Sequence, residues 1–318
     1  MGVTRFPHGV SSFGVPVLPG GGRFASPWAT HYFVDGVDGS DANEGKEPDK
    51  AFSTIQHAID TATGGDVIYI RPKGYTMGTG FARYTEDVDI TNVCTGSGVT
   101  ETKAGISIIG VTALGVASDF MGPRWKHATT HCLHTKAAAT HVENIGFFCE
   151  GATYGVQFQS DGATYTMSGA QGSSLYNCAI KGEGGVFANS SDSLQFVNCQ
   201  FQAEYSGNTS GIIITLDGTN VNRRPVVRNC HFIGGNNANM DSAPIIWTGV
   251  VENGLIADNY FHTGTTVQIN IVTAGSTGLI VNNFFAEADL STTFIVQQSM
   301  VVVSNWDYTG TSQINEGT

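Results

Sequence analysis

Charged side chains are scarce in this chain. Asp, Glu, Lys and Arg make up 13% of its 318 residues, against ~25% in an ordinary soluble domain. Polarity must therefore come from Gly, Ser, Thr, Asn and Gln. Positive charge is the scarcer sign: 15 Lys and Arg stand against 27 Asp and Glu, a net charge of −12. Phosphate contacts dominate nucleic-acid affinity, so this balance excludes a nucleic acid as the expected partner. Long apolar runs are also lacking. None reaches the ~18 residues of a membrane span, and no membrane insertion is expected. Residues 1–22 carry no basic stretch followed by an apolar one, so a secretory signal is not expected. The six cysteines, Cys94, Cys132, Cys149, Cys178, Cys199 and Cys230, have no paired spacing of the disulfide-scaffold kind. They are expected to be reduced, buried thiols. No sequence pattern calls for a cofactor.

Glycine, at 41 residues, and strand-like apolar alternation are abundant, while proline stops at 9. Many tight turns with few rigid breaks suit a repetitive β protein. From residue 142 onward an asparagine recurs at intervals of 21 to 33 residues: Asn144, Asn177, Asn198, Asn229, Asn259, Asn283 and Asn305. Two residues before it stand Val142, Leu175, Phe196, Val227, Ala257, Val281 and Val303. One residue after it come Ile145, Cys178, Cys199, Cys230, Tyr260, Phe284 and Trp306. Three after it come Phe147, Ile180, Phe201, Phe232, His262, Ala286 and Tyr308, with His262 the exception to an apolar column. Such a period with variable insertions marks a solenoid. Asn tolerates the left-handed bend between two strands, and its amide can hydrogen-bond to the Asn of the next rung. The expected fold is all-β, a single-stranded right-handed parallel β-helix with a short N-terminal capping helix. About nine rungs at ~4.8 Å give a body roughly 40–45 Å long.

Three segments follow. Residues 1–30 form an extended N-terminal docking arm, with three prolines and six glycines in its first 22 positions. Its apolar and basic side chains, Arg5, Phe6, Pro7, Phe13, Val15 and Leu18, are the expected attachment points. Residues 31–65 form the N-terminal cap. Phe52, Ile55, Ala58 and Ile59 have helical spacing there. Residues 66–318 form the β-helix, with strands at Val67–Ile70 and 106–109 and an irregular excursion over 74–104.

Tyr32-Phe33-Val34-Asp35-Gly36-Val37-Asp38-Gly39-Ser40-Asp41, then 51–60 and Gly65-Asp66-Val67-Ile68-Tyr69-Ile70-Arg71-Pro72-Lys73-Gly74-Tyr75, resemble the opening of pectin-lyase-like β-helix proteins. That resemblance implies the fold and not an activity, since the fold hosts enzymes, adhesins and virus spikes. Thr4-Arg5-Phe6-Pro7-His8-Gly9-Val10 resembles the start of some tailed-phage virion proteins, with His8 where they have Asn.

β-Helix glycosidases need paired outward carboxylates, ~6.5–9.5 Å apart for inversion. The residues just before each Asn are Glu143, Tyr176, Val197, Arg228, Asp258, Asn282 and Ser304, and they offer only an Arg228–Asp258 ion pair. No catalytic residue is therefore assigned. Gln157, Gln159, Gln268 and Asn270 are the expected outward hydrogen-bonding groups for a glycan. His127, His131, Cys132, His134 and His141 match no metal-ligand spacing, and His131 and Cys132 should point to opposite faces of a strand. Polar packing without a metal is expected there.

Ile212-Ile213-Ile214, Pro244-Ile245-Ile246-Trp247 and Met300-Val301-Val302-Val303 are apolar on both faces. One face fills the coil, so the other should be covered, most simply in a homotrimer. The combined expectation is a structural virion protein of a tailed phage. It would be located in the virion, joined to capsid or tail proteins through its arm, and would display the β-helix as a capsid decoration or short spike. The competing readings are a tail-spike polysaccharide-degrading enzyme and a non-catalytic adhesin for host surface glycan.

Overall fold

The structure is a computed structural model. It describes residues 11–12, 15–16, 28–76, 80–91, 93–95, 98–100, 102–111, 122–127, 129–149, 154–159, 170–182, 185–189, 192–202, 212–215, 222–234, 243–262, 267–286, 295–296, 298–307 and 313–314. Of the docking arm, the pairing of Ser11–Ser12 with Val15–Pro16 and the last residues, 28–30, are described. Arg5, Phe6, Pro7, Phe13 and Leu18, and the side chain of Val15, lie outside the described residues.

The coil winds through three sheets of ten, nine and eight strands. Within them every pair is parallel except the last of the second sheet, where Asn305–Asp307 meets Gln313–Ile314 antiparallel. The first sheet begins at His31–Val34 and Val67–Ile70 and ends at Val301–Val303. The second runs from Arg124–His127 to Gln313–Ile314, and the third from Val88–Ile90 to Ile295–Val296. This is the right-handed parallel β-helix, the hand that parallel crossovers take. Ten rungs at ~4.8 Å give the first sheet a span of about 43 Å. His31–Val34 pairs directly with Val67–Ile70, so cap and coil share one sheet. Val88–Ile90, inside the stretch expected to be an irregular excursion, instead heads the third sheet.

Alternation in each short strand sends one side chain of every rung inward, and parallel register stacks these into columns. Tyr32, Ile68, Ile108, Val142, Leu175, Phe196, Val227, Ile256, Ile280 and Val302 form the inward column of the first sheet. Trp125, Phe147, Ile180, Phe201, Phe232, Phe261 and Phe285 form that of the second. The last four are parallel ring stacks, with centroids 4.9, 4.8 and 5.0 Å apart. Asp307, fully buried, ends this column at the final rung.

These pairings correct the sequence register over the last three rungs. Asn144, Asn177, Asn198 and Asn229 take the left-handed bend, with φ of 51–59°. Farther on, the bend falls on Asp258, Asn282 and Ser304, at φ of 54–57°. Asn259, Asn283 and Asn305 lie one residue later, inside the coil, in line with Cys178, Cys199 and Cys230. The apolar column therefore continues through Phe261 and Phe285. His262 is exposed, and Ala286 is half-buried outside that column. Ala257, Val281 and Val303 likewise yield the inward places to Ile256, Ile280 and Val302.

Two ladders result. At the bends, Asn177 Nδ2 donates to Asn144 Oδ1 (2.6 Å) and Asn229 Nδ2 to Asn198 Oδ1 (3.0 Å), while Asn198 Nδ2 donates to the Tyr176 hydroxyl. Inside, a different task repeats. The inward residue of each preceding rung has a carbonyl at the strand end that needs a donor. Cys178, Cys199 and Cys230 point their thiols at the carbonyls of Val142, Leu175 and Phe196, at 3.6, 3.5 and 3.4 Å. Asn259, Asn283 and Asn305 donate Nδ2 to the next carbonyls of the same series, Val227, Ile256 and Ile280, at 3.0–3.1 Å. One column thus meets one requirement with thiols in its first half and amides in its second. The thiols are free, and burial pushes Cys178 and Cys230 up from the ordinary thiol range.

The capping helix spans Ile55–Thr61 and buries Ile55, Ala58 and Ile59 over the first rung. Phe52, expected within the helix, precedes it and bridges to Val34. Thr54 caps its first turn by accepting from the His57 N–H, and Glu86 accepts from the N–H groups of Ile55 and Gln56. Asp41 accepts from the backbone of Ser53 and Thr54 and from the Thr54 hydroxyl. Burial would raise Asp35, but the Val37 N–H, the Arg71 guanidinium and the Asp38 N–H outweigh it and hold the carboxyl below its ordinary value. Burial is likewise outweighed at Asp41 by Thr54 and Ser53. Both folded-state values are depressed, so the stability they contribute is present above the unfolded value and is lost as pH falls through the folded one. Glu86, pushed up by burial, works in the opposite sense and offsets part of the loss. In acid below about pH 4, the amides of Val37, Asp38, Ser53 and Thr54 are expected to lose hydrogen-exchange protection before those of the middle rungs. Simultaneous loss along the whole coil would contradict this.

Candidate functional site

The outward residues of the third sheet read Asp89, His134, Gln157 and Phe187 along its first four rungs. Gln159 is the next outward residue on the third strand. Alternation puts Leu133 and Thr135 inside the coil and leaves His134 outside. The loop before this strand adds His131, and the residues before Val88–Ile90 add Asp87.

Contacts gather these groups. Asp89 Oδ1 is 2.8 Å from His134 Nδ1, and His134 Nε2 is 2.7 Å from Gln159 Oε1. His131 Nε2 lies 2.7 Å from Asp87 Oδ1 and 3.5 Å from Asp89 Oδ1. This nitrogen is enclosed, and neither oxygen is well aligned with the ring N–H. Thr130 donates its hydroxyl to Asp87 Oδ2 (2.6 Å), leaving Oδ1 toward His131. The two imidazoles meet edge to face with centroids 5.0 Å apart. Burial lowers the His131 pKa from its ordinary value, and Asp87 only partly opposes it. The ligand atoms of Asp89, His131 and His134 all lie within 4.8 Å of one another.

The other members of the histidine-rich stretch go elsewhere. Cys132 is buried on the opposite face from His131 and points its thiol at the Trp125 carbonyl. His127 Nδ1 faces the Thr129–Thr130 turn. His141 sits on the first sheet between Ser174 and Glu143. The sequence placed His131 and His134 in one histidine-rich stretch without a ligand spacing to mark them, and showed no sign of the carboxylates that complete the cluster.

The expected glycan contacts divide. Gln157, Gln159 and Asn270 are half-buried on the outer face of the third sheet, whereas Gln268 is fully buried and cannot meet a ligand. It precedes the strand Ile269–Ile271 at the corner, where alternation no longer sets its direction. The register correction reveals another outward series. His231, Tyr260, Phe284 and Trp306 line up on four rungs of the second sheet. The ring pairs His231–Tyr260 and Tyr260–Phe284 are 5.7 and 5.5 Å apart, and Trp306 is 40% exposed. Among the described residues, no two carboxylates pair across adjacent strands of the sheets. Arg228 reaches Asp258 diagonally (3.0 Å), an exposed ion pair of small energetic weight.

No protein-family profile matches this chain, and no curated protein matches its sequence. Solved structures do match. Pectin methylesterase from carrot superposes with a TM-score of 0.55 at 11% identity, covering 90% of this chain and 85% of its own. ORF18 of Geobacillus virus E2 superposes with a TM-score of 0.46 at 11% identity, covering 87% of this chain and 61% of its own. Pectin methylesterase from Aspergillus niger gives 0.44 at 15% identity, covering 87% of this chain and 92% of its own. At such identities the likeness is one of fold: this chain is a parallel β-helix similar in architecture to the carrot enzyme.

Proposed function

We propose that this chain is a structural virion protein of a tailed phage, attached through its N-terminal arm and displaying the β-helix on the particle as a decoration or short spike. The observation that carries this reading is an apolar stripe on the outside of the first sheet. Val226, Leu255 and Leu279 are half-buried in register, and Val301 continues them at 52% exposure. Val281 and Val303 widen the stripe, with Val303 at 38% exposure. Isolated apolar side chains on a surface are ordinary, but a stripe parallel to the solenoid axis suits another rod beside it. A homotrimer buries the same stripe of all three copies about one axis. Support for the arm comes from the Thr4–Val10 segment and its resemblance to virion proteins.

In light scattering the full chain is expected to be trimeric, and Leu279→Glu is expected to give a folded monomer. A wild-type monomer would contradict the assembly. Deleting residues 1–25 is expected to leave a folded body that no longer joins particles; normal incorporation would refute the arm's role. A second reading, a non-catalytic glycan adhesin, is favoured by the aromatic series from His231 to Trp306. It requires host surface polysaccharide to quench Trp306 fluorescence without losing viscosity. A fall in viscosity would instead establish cleavage.

A further inference from the structure

The geometry points to a binding site for a zinc-class divalent cation at the head of the third sheet, held by His131 Nε2, His134 Nδ1 and the Asp89 carboxylate. It is independent of the virion reading. Zinc bonds to imidazole and carboxylate are about 2.0–2.1 Å, so tetrahedral ligand atoms stand about 3.3 Å apart. The His131–Asp89 separation is 3.5 Å. The His134–Asp89 separation of 2.8 Å opens by about half an ångström when an ion replaces the shared proton.

Two features mark a cation site rather than a set of hydrogen bonds. A neutral imidazole has one N–H, yet both ring nitrogens of His134 face acceptors, Asp89 and Gln159. A cation on Nδ1 with the proton on Nε2 satisfies both, and a carbonyl behind the ligating ring is the usual support of a metal-bound histidine. Next, His131 Nε2 is enclosed and lies 2.7 and 3.5 Å from the oxygens of two carboxylates, Asp87 and Asp89.

Three protein ligands leave a fourth position, toward Asp87 and solvent. Mixed imidazole and carboxylate donors suit zinc, cobalt, nickel or copper rather than calcium or magnesium, which prefer oxygen alone. Asp89 belongs to the end strand of the third sheet, His134 to the second and Gln159 to the third. An ion here joins the three-residue end strand Val88–Ile90, whose outer edge is held by the Gln56 side chain on the Asp89 backbone, to the rungs below it.

The test uses the full chain, first freed of metal by a chelator, and titrated with ZnCl2 by calorimetry. One equivalent is expected to bind and to raise the thermal midpoint, while CaCl2 and MgCl2 do neither. The His131→Ala/His134→Ala double variant is expected to weaken zinc binding by more than about 100-fold, and Gln159→Leu by about 10- to 100-fold. His262→Ala, on the second sheet, should leave it unchanged. If the double variant does not fold, Asp89→Asn takes its place, and Co2+ on the unaltered chain should give the visible absorption of a four-coordinate site. No saturable binding, binding indifferent to these ligand substitutions, or a six-coordinate Co2+ spectrum would each overturn the assignment.

Discussion

Replacing Asn283 by leucine is expected to cost about 4 kcal/mol or more of folding stability, since each buried group left without a partner costs ~1–3 kcal/mol. Asn283 is fully buried. Its amide donates to the Ile256 carbonyl and to Asn305 Oδ1, and its own Oδ1 accepts from the backbone and side chain of Asn259. Leucine has a similar volume, so the loss is not mainly a cavity. It strands the Ile256 carbonyl and two N–H groups of Asn259 in a place water does not reach, and leaves Asn305 Oδ1 only the backbone N–H of residue 283. Asn283→Asp is expected to fail as well, because a carboxylate repels both acceptors it would face and burying its charge is costly. The matching change in the first half of the column, Cys199→Val, removes weak thiol contacts to the carbonyls of Leu175 and Val197, both at 3.5 Å, and should cost about 1 kcal/mol. Urea midpoints of the three variants check this. Equal, small losses for Asn283→Leu and Cys199→Val would show that the amide ladder contributes little.

Phe232→Ala is expected to cost about 4 kcal/mol, in the upper range for buried aromatic truncations. The ring lies between Phe201 and Phe261, nearly parallel to both at 7° and 5°. Truncation loses burial, both stacks and the packing of a closed column. In a solenoid each rung is held by its neighbours. The variant should therefore lower hydrogen-exchange protection in Phe201 and Phe261 as well as at the site. Phe232→Leu, which keeps most of the volume, is expected to cost about 1 kcal/mol. A loss under 1 kcal/mol for the alanine variant would mean that the coil collapses onto the gap.

The β-helix was legible because its repeat is carried by side-chain chemistry that every rung must satisfy. Asn144 to Asn229 announced the bend, and the apolar columns around them announced the interior. The register of the last rungs was misread because Asn performs two jobs one residue apart. Aligning Asn259 with Asn229 matches identity but exchanges faces, since strand side chains alternate with a period of two. The sign of the slip was already in the sequence. His262 broke an otherwise apolar column, and a shift of one residue replaces it with Phe261. The aromatic series from His231 to Trp306 was hidden by the same slip.

The site at the third sheet was half legible. His131 and His134 are three residues apart, but Asp89 precedes His134 by 45 residues. It lies on a three-residue strand, Val88–Ile90, between hairpins that interrupt the repeat. Only parallel pairing of Val88–Ile90 with Leu133–Thr135 brings them together, and no local pattern encodes that pairing. Gln268 was misjudged for a related reason: it sits at a corner, where the alternation that assigns faces within a strand has not begun.

An electron cryomicroscopy map of purified particles tests the proposed role most directly. It should show rods about 43 Å long, grouped in threes with their apolar stripes together and each joined to the particle through residues 1–30. Particles that lack the chain, or that carry it as single rods without a connection through the arm, would contradict it.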